Sequence, residues 1–227
     1  MNLPKHVAMI MDGNRRWAKQ NSKCLFEAYS QGCIRIIDIV QSCIDRIPFI
    51  TIYVFSTENW NRKEDEITTI HTIAEIFFIK KLDFFCGLGV KINFIGERSL
   101  TSRKLCNIMD ICKEKTAHNN SLQLNVAFSY GSRREIASAV QRIVSNPPKD
   151  LSNVNESYIA NNLYTKNCPD PDLLIRTGGV YRISNFLLWQ IAYSELFFTN
   201  VLWPDFKVSL FDEAVQEYSR RKRNMGV

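Results

Sequence analysis

Glycine is scarce in this sequence, at nine residues in 227, about 4% against the ~7% of ordinary proteins. With 45% hydrophobic and 23% charged residues, the chain is neither collagen-like, low-complexity nor disordered. It has no uninterrupted apolar run of about 20 residues, so no segment reads as a membrane span. The apolar run Val7–Met11 is too short for a signal peptide. Cysteine is not rare, but Cys24, Cys33, Cys43, Cys86, Cys106, Cys112 and Cys168 are odd in number and contain no C-x-x-C pair. That argues against a disulfide framework or a cysteine-bound zinc and for a reducing cytosol. The histidines His6, His71 and His118 are far apart and form no ligand pattern, so each is expected to be solvated or internally satisfied. The spacings G-x-x-x-x-G-K-[ST], G-x-S-x-G and H-E-x-x-H are all missing, which excludes a Walker A loop, a nucleophile elbow and a zincin helix.

What is present fits one domain over residues 1–227, long enough to bury roughly 70% of its unfolded surface. The net charge is +6, and Arg220, Arg221, Lys222 and Arg223 supply four of those charges. Such a basic tail is a solvated chain end, or it touches phosphates or an anionic membrane surface. Along the chain, apolar strand-like runs alternate with helical periodicity. Strands are expected at His6–Met11, Phe49–Phe55, Val90–Ile95, Leu122–Phe128, Leu173–Ile175 and Leu196–Phe198. Between them, Ile34, Ile37, Val40 and Ile44 mark the apolar face of one helix, stopped by Pro48. Residues 56–66 read as a polar loop. Ile67 to Phe85 form a greasy helix, Thr101 or Ser102 caps the next, Ile136, Val140 and Ile143 mark another, and Phe211 to Tyr218 close the chain. The alternation predicts an α/β fold with a mostly parallel central sheet flanked by helices. Ligands in such sheets bind beyond the carboxyl ends of the strands.

Four strand ends carry chemistry. The first is Asp12-Gly13-Asn14-Arg15-Arg16-Trp17. Gly13 lets backbone come close to a ligand, and an arginine grips phosphate in a bidentate way. A carboxylate beside two arginines makes sense if a divalent cation bridges it to the phosphate, since Mg²⁺ is held by one or two carboxylates plus substrate phosphates; otherwise Asp12 is a turn residue paired with arginine. The second, Ser56-Thr57-Glu58-Asn59-Trp60-Asn61-Arg62, reads first as a capped helix start with a packed tryptophan. The third, Ser129-Tyr130-Gly131-Ser132-Arg133, reads as a strand-turn-helix. In the fourth, Arg176 and Arg182 flank Thr177-Gly178-Gly179 ahead of Ile183 and Ser184, a set suited to a second diphosphate. Glu195 follows the aromatic-rich stretch 186–193 and needs a partner, either Arg176 or Arg182 in a salt bridge or a metal.

Together these segments resemble the cis-prenyltransferases, most closely the bacterial undecaprenyl diphosphate synthases. The matching stretches are His6 to Asn14, Phe55 to Trp60, Asp172 to Gly179, Arg182 to Gln190, Glu195, and Trp203-Pro204-Asp205-Phe206. They occur in family order and cover nearly the whole chain. The resemblance implies a Mg²⁺-dependent transferase with an apolar tunnel. Such an enzyme joins isopentenyl diphosphate to an allylic diphosphate, usually farnesyl diphosphate, to give a long cis-polyprenyl diphosphate such as undecaprenyl diphosphate, a cell-wall lipid carrier. It implies a homodimer in the cytoplasm, with peripheral contact at the inner face of the membrane through the product and the basic tail, and no nucleic-acid partner. It also implies roles for residues. Asp12 is the essential metal-binding carboxylate and Glu195 a second metal residue. Gly13, Asn14, Arg15, Arg16 and Trp17 hold the allylic diphosphate. Ser56, Thr57, Glu58, Trp60 and Arg62 belong to the second substrate motif, in which Asn59 handles a proton. Arg176, Arg182, Ile183 and Ser184 clamp isopentenyl diphosphate.

The chain departs from the family pattern at several places. Leu25, Ala28 and Tyr29 stand where bacterial members carry Arg, Gly and His, while Gly32 is kept. Arg15 stands where most have Gly, so Arg15 or Lys23 is expected to supply the lost charge. Val180 and Tyr181 replace Glu and His. Near the end, Arg223, Asn224, Met225 and Gly226 break the Arg-x-Gly spacing. These departures keep a second expectation open, a catalytically weak scaffold subunit of a prenyltransferase complex. The set Asp12, Asn59, Arg176, Arg182 and Glu195 opposes it, since a dead subunit has no physical need of them.

Overall fold

The structure, a computed structural model, describes residues 2–222. Strands β1 (His6–Ile10), β2 (Phe49–Ser56), β3 (Val90–Ile95), β4 (Leu122–Tyr130), β5 (Leu173–Arg176) and β6 (Glu195–Phe198) form one sheet in the order β3-β4-β2-β1-β5-β6. Every pairing is parallel, so the expected mostly parallel sheet is parallel throughout. Parallel strands need crossover connections that cover both faces, and β1 is accordingly buried at every position. Its side chains alternate. Val7 and Met9 enter a large core with Phe77, Phe78 and Trp203, while Ala8 and Ile10 enter a smaller one with Tyr130, Phe186 and Leu187.

The helices are α1 (Asn14–Gln20), α2 (Leu25–Cys43), α3 (Glu64–Gly87), α4 (Arg103–Lys115), α5 (Ser132–Ser145), α6 (Glu156–Ala160) and α7 (Val208–Arg220). Ser102 rather than Thr101 caps α4, accepting from the Leu105 N–H at 3.2 Å. Two helix faces differ from expectation. On α2 the buried stripe is Ala28, Gly32, Ile36, Ile39, Val40 and Cys43, and Ile34 is exposed. The contact at Gly32 sets this phase. Trp203 Nε1 donates to the Gly32 carbonyl at 3.0 Å, and a Cβ at Gly32 would lie 2.9 Å from the indole ring. The helix also ends at Cys43, where Asp45 turns the chain at φ 61°, so Pro48 does not stop it. On α5 the buried positions are Ser132, Glu135, Ala139 and Ile143, with Val140 exposed. The polar residues go inward there because they hold a neighbouring loop. The expected loop at 56–66 contains a short 3-10 helix, Thr57–Asn61, and the first turn of α3.

The carboxyl ends of β2, β1 and β5 lie side by side and point toward one face. A small apolar cavity of about 60 Å³ sits beneath that rim between α2, α3 and β2, lined by residues including Cys33, Ile36, Val54, Ile73, Ala74, Phe77 and Phe78.

Candidate active site

Asp12 leaves the end of β1 in a tight turn. Its N–H donates to the Ile10 carbonyl at 3.0 Å, and its own carbonyl accepts from Thr177 Oγ1 at 2.7 Å and from the Trp203 N–H at 3.0 Å. Gly13 continues the turn at φ 119°, where a Cβ would lie 2.9 Å from the Leu202 Cα. So anchored, the Asp12 carboxylate faces two guanidinium groups. Oδ1 accepts from Arg16 at 3.1 Å and Oδ2 from Arg176 at 2.9 Å. This is more than a surface turn pairing, because Arg176 is buried. Arg176 also donates to the Arg182 carbonyl and, at 2.8 Å, to Ser184 Oγ, while its Nε is buried with no partner among the described residues. Arg16 reaches across to the Gly178 carbonyl. Gly178 has φ 85°, and a Cβ there would come within 2.6 Å of the Arg16 guanidinium.

The end of β2 is built by reciprocal capping. Ser56 Oγ accepts from the Asn59 N–H at 3.2 Å, and Asn59 Oδ1 accepts from the Ser56 N–H at 3.1 Å. Among the described residues the Asn59 side-chain NH₂ makes no hydrogen bond, and Asn59 lines the cleft. Burial pushes the Glu58 carboxyl up, but hydrogen bonds from Asn185, its own backbone N–H, Ser56 and Thr57 outweigh it and hold the group below its usual range. One turn on, Arg62 donates to Glu66 at 2.7 Å and to the Tyr29 hydroxyl at 3.1 Å, and Tyr29 donates to Glu66 at 3.1 Å. Arg15 stands 3.7 Å from the other Glu66 oxygen. Burial raises the Tyr29 phenol to about 12 despite the nearby Arg62, so it works here as a neutral donor.

These groups open into one polar cleft of about 970 Å³. Of the expected site residues it brings together Asp12, Gly13, Asn14, Arg15, Arg16, Ser56, Glu58, Asn59, Arg62, Arg176, Arg182 and Ser184. The others stand behind it or elsewhere. Trp17 donates to Asp205 at 2.9 Å, Trp60 donates to Ser129 at 2.9 Å, and Thr57 donates to Glu58. Ile183 packs on the smaller core. Glu195 begins β6, at the opposite end of the sheet from Asp12, and pairs with Arg221 at 2.7 Å rather than with Arg176 or Arg182. Within this chain, then, Glu195 is not brought to Asp12. Lys23 pairs with Glu27 at 2.9 Å on the surface and does not line the cleft, whereas Arg15 does. Val180 lines it, while Tyr181 turns outward onto Phe198. Lys19, at helical spacing from Arg15 and Arg16, lines the cleft and escaped the sequence reading, as did the buried Glu66, four residues after Arg62, which pairs with that cleft-lining arginine. Those spacings were the available signal. Arg223, Asn224, Met225 and Gly226 lie outside the described residues.

The histidines divide. His6 is buried and satisfied, between the Pro169 carbonyl and Thr51 Oγ1, both at 2.7 Å. His118 is exposed. His71 departs from expectation, since its ring packs among Phe55, Trp60 and Phe128 and its buried Nε2 has no hydrogen-bond partner among the described residues.

No cluster of three or more His, Cys, Asp or Glu able to hold a metal exists among the described residues. A fully protein-made cage is therefore absent there. Two carboxylates line the cleft, Asp12 and Glu58, and the partly exposed Asp12 is the one with arginines around it. That donor set fits a cation held by one carboxylate, water and the phosphates of a ligand, the usual manner of Mg²⁺.

The apolar cavity adjoins this cleft directly. Met11, Asn14, Tyr29, Tyr53, Val54 and Ile70 wall both spaces. The arrangement offers strong anion binding at the rim and an apolar surface below it, which suits an amphiphile with a multiply charged head.

Comparison with known proteins agrees with this geometry. The family described as "Putative undecaprenyl diphosphate synthase" matches residues 10–226. An isoprenyl transferase of Rickettsia typhi is 44% identical over 227 residues, covering 100% of this chain and 99% of the relative. That of Aquifex aeolicus is 43% identical over 227 residues, covering 100% and 97%. A probable undecaprenyl diphosphate synthase from Campylobacter jejuni superposes with a TM-score of 0.85 at 33% identity, covering 100% of both chains. Lavandulyl diphosphate synthase from Lavandula x intermedia, solved in complex with dimethylallyl diphosphate, superposes with a TM-score of 0.95 at 29% identity, covering 99% of both.

Proposed function

The chain belongs to the undecaprenyl diphosphate synthase family of prenyl-transferring enzymes, and from that premise we propose that it condenses isopentenyl diphosphate onto an allylic diphosphate with Mg²⁺. The primer is farnesyl diphosphate and the product a long cis-polyprenyl diphosphate, undecaprenyl diphosphate. One observation carries the reading. A cleft with Asp12, Arg15, Arg16, Arg62, Arg176 and Arg182 shares its wall with an apolar cavity. A charged head and a greasy tail thus have adjoining places.

The chemistry follows from the groups present. The allylic carbon–oxygen bond breaks and its electron pair leaves with the diphosphate. The isopentenyl double bond attacks that carbon, forming the new carbon–carbon bond, and a proton is lost from the adjacent carbon to the released diphosphate. Arg16 and Arg15 face the allylic diphosphate and stabilise the charge that grows on it. Arg176, Arg182 and Ser184 orient the diphosphate of the attacking molecule. Asn59, with its NH₂ free toward the cleft, holds the phosphate oxygen that takes the proton. Asp12 would hold Mg²⁺, which when bound neutralises phosphate charge as a Lewis acid. The growing chain enters the cavity between α2 and α3, which widens to take it; each buried CH₂ contributes about 0.8 kcal/mol.

A homodimer belongs to this reading, supported by two exposed apolar side chains, Leu196 on the short edge strand β6 and Tyr193 just before it. Peripheral membrane contact draws on Arg220 and Lys222, which are exposed, while Arg221 is tied to Glu195 and Glu217. No helix among the described residues is long and apolar enough to cross a membrane. The test is incubation of the purified chain with labelled isopentenyl diphosphate, farnesyl diphosphate and Mg²⁺, with the products sized. Chain elongation is expected, and no product with any allylic primer sinks the proposal.

A further inference from the structure

An allylic diphosphate has one carbon that joins its charged head to its apolar tail. With the head in the cleft and the tail in the cavity, that carbon lies at the wall the two spaces share. The residues lining both are Met11, Asn14, Tyr29, Tyr53, Val54 and Ile70. None of them is charged near neutral pH. No carboxylate of this wall therefore neutralises the positive charge that grows on the carbon as its bond to oxygen breaks. The wall does hold two aromatic rings. The quadrupole of such a ring attracts a cation over its face, more strongly where water is excluded.

The two rings are not equivalent. Tyr53 is buried, and Phe186 stacks on it with ring centroids 4.4 Å apart. Its hydroxyl donates to the Tyr130 carbonyl at 3.0 Å. One face of that ring is thus taken by the smaller core. Tyr29, on α2, is partly buried, and among the described residues no other ring packs against it. What is fixed is its oxygen. The hydroxyl donates to Glu66 at 3.1 Å and accepts from Arg62 at 3.1 Å, and Arg62 in turn holds Glu66 at 2.7 Å. Two bonds at one end set the direction of the ring. They also occupy the oxygen, which matters beside an electrophilic carbon, since a free phenol oxygen would capture that carbon as an ether. Burial keeps the proton on the oxygen, raising the phenol to about 12, so the ring meets the substrate uncharged.

We propose that Tyr29 is a further catalytic residue for prenyl transfer: its ring lies against the allylic carbon and stabilises the positive charge that grows there as the carbon–oxygen bond breaks. The electron pair of that bond leaves with the diphosphate, the isopentenyl double bond supplies a new pair to the same carbon, and the ring ends the cycle unchanged. The attraction acts on the charged transition state and not on the intact carbon, so it raises the rate of bond breaking rather than the affinity for substrate. This rests on the prenyl transfer proposed above, with the allylic head in the cleft and its tail in the cavity.

The test is a series at this one position: Tyr29→Phe, then phenylalanines bearing one, two and three ring fluorines, and Tyr29→Leu. Fluorine barely changes the shape of the ring but withdraws charge from its face, so a ring that only packs would not register it. The first readout is the single-turnover rate of the first condensation, with enzyme in excess over farnesyl diphosphate. It is expected to fall with each added fluorine, roughly tenfold across the series, while the KM for isopentenyl diphosphate stays within about twofold. Tyr29→Leu is expected to be roughly tenfold or more slower than Tyr29→Phe. The second readout is the affinity for a farnesyl ammonium ion, with nitrogen in place of the allylic carbon, titrated together with inorganic diphosphate. It is expected to weaken in the same order. A rate or an ammonium affinity that does not change with fluorine number overturns the proposal, as does Tyr29→Leu turning over as fast as Tyr29→Phe. Should Tyr29→Leu not fold, the fluorine series decides alone. Absence of any product from the wild-type chain removes the prenyl transfer itself, whereas product formation indifferent to fluorine removes only the role of Tyr29.

Discussion

Asp12 has both carboxylate oxygens occupied by arginine, one of them buried. Its loss leaves Arg176 uncompensated and, on the proposed function, removes the carboxylate that would hold Mg²⁺. Asp12→Ala is expected to lower kcat by at least about 10²–10³-fold, read by product formation at saturating substrate. Of Arg15 and Lys23, the two expected replacements for the charge lost at Leu25, Arg15 is the one that faces the cleft. Arg15 lines it and stands 3.7 Å from Glu66, while Lys23 is bound to Glu27 on the surface. Arg15→Gly is expected to raise the KM for farnesyl diphosphate about threefold to tenfold, the worth of one exposed charge-assisted hydrogen bond, and Lys23→Ala to leave it unchanged. Equal values for both variants would remove Arg15 from the site. The sequence exposed Asp12, Arg16, Arg62 and Arg176 because they stand beside strand ends. It did not expose Glu66, whose importance comes from being buried between Arg62, Tyr29 and Arg15, a meeting of three separate elements. Nor could it show that Glu195, at the start of β6, lies at the far end of the sheet from Asp12.

At the scale of elements, all six strands were readable from their apolar runs, since a strand buried on both faces has little else to show. The long helices were readable and the short α6 was not, and helix phase failed on α2 and α5 while it held on α3 and α4. Apolar periodicity places Ile34 and Val140 inward, and both are exposed. On α2 the phase is decided by a close approach at Gly32, where nothing larger than hydrogen fits beside Trp203. On α5 it is decided by Ser132 and Glu135, polar residues that go inward because they have partners there. In both cases a long-range contact overrides the local pattern. Capping, by contrast, is local and was readable. Ser102 accepts from the Leu105 N–H at 3.2 Å, so Ser102→Ala is expected to cost about 1 kcal/mol of stability by urea unfolding. It lies on α4, away from the cleft, so turnover should not change; a fall in turnover would mean that α4 communicates with the site.

For the molecule as a whole, two properties depend on the sheet joining distant parts. The first is acid stability. His6 starts β1 and bridges the Pro169 carbonyl and Thr51 on β2. Burial lowers its pKa from 6.5 to about 4, outweighing the Pro169 carbonyl and Asp172. As pH falls below 6.5, the unfolded chain takes up a proton that the folded chain refuses until about 4, so stability falls through that window and is unaffected above it. The loss approaches about 3 kcal/mol at most. Between pH 7.5 and 5, wild type should lose more stability than His6→Gln, and equal losses would discount the histidine. The second is product length, which on the proposed function is set by how far the apolar cavity can extend between α2 and α3. Ala74 lies on α3 in that wall, next to Phe77 and Phe78, and is buried. A leucine there projects into the cavity that adjoins the cleft at Val54 and Ile70. Overpacking costs about 1–3 kcal/mol, which a folded enzyme of this size can bear, and the diphosphate contacts are untouched. Ala74→Leu is therefore expected to shorten the products while the KM for isopentenyl diphosphate stays within about twofold. Products of wild-type length would place the chain somewhere other than this cavity.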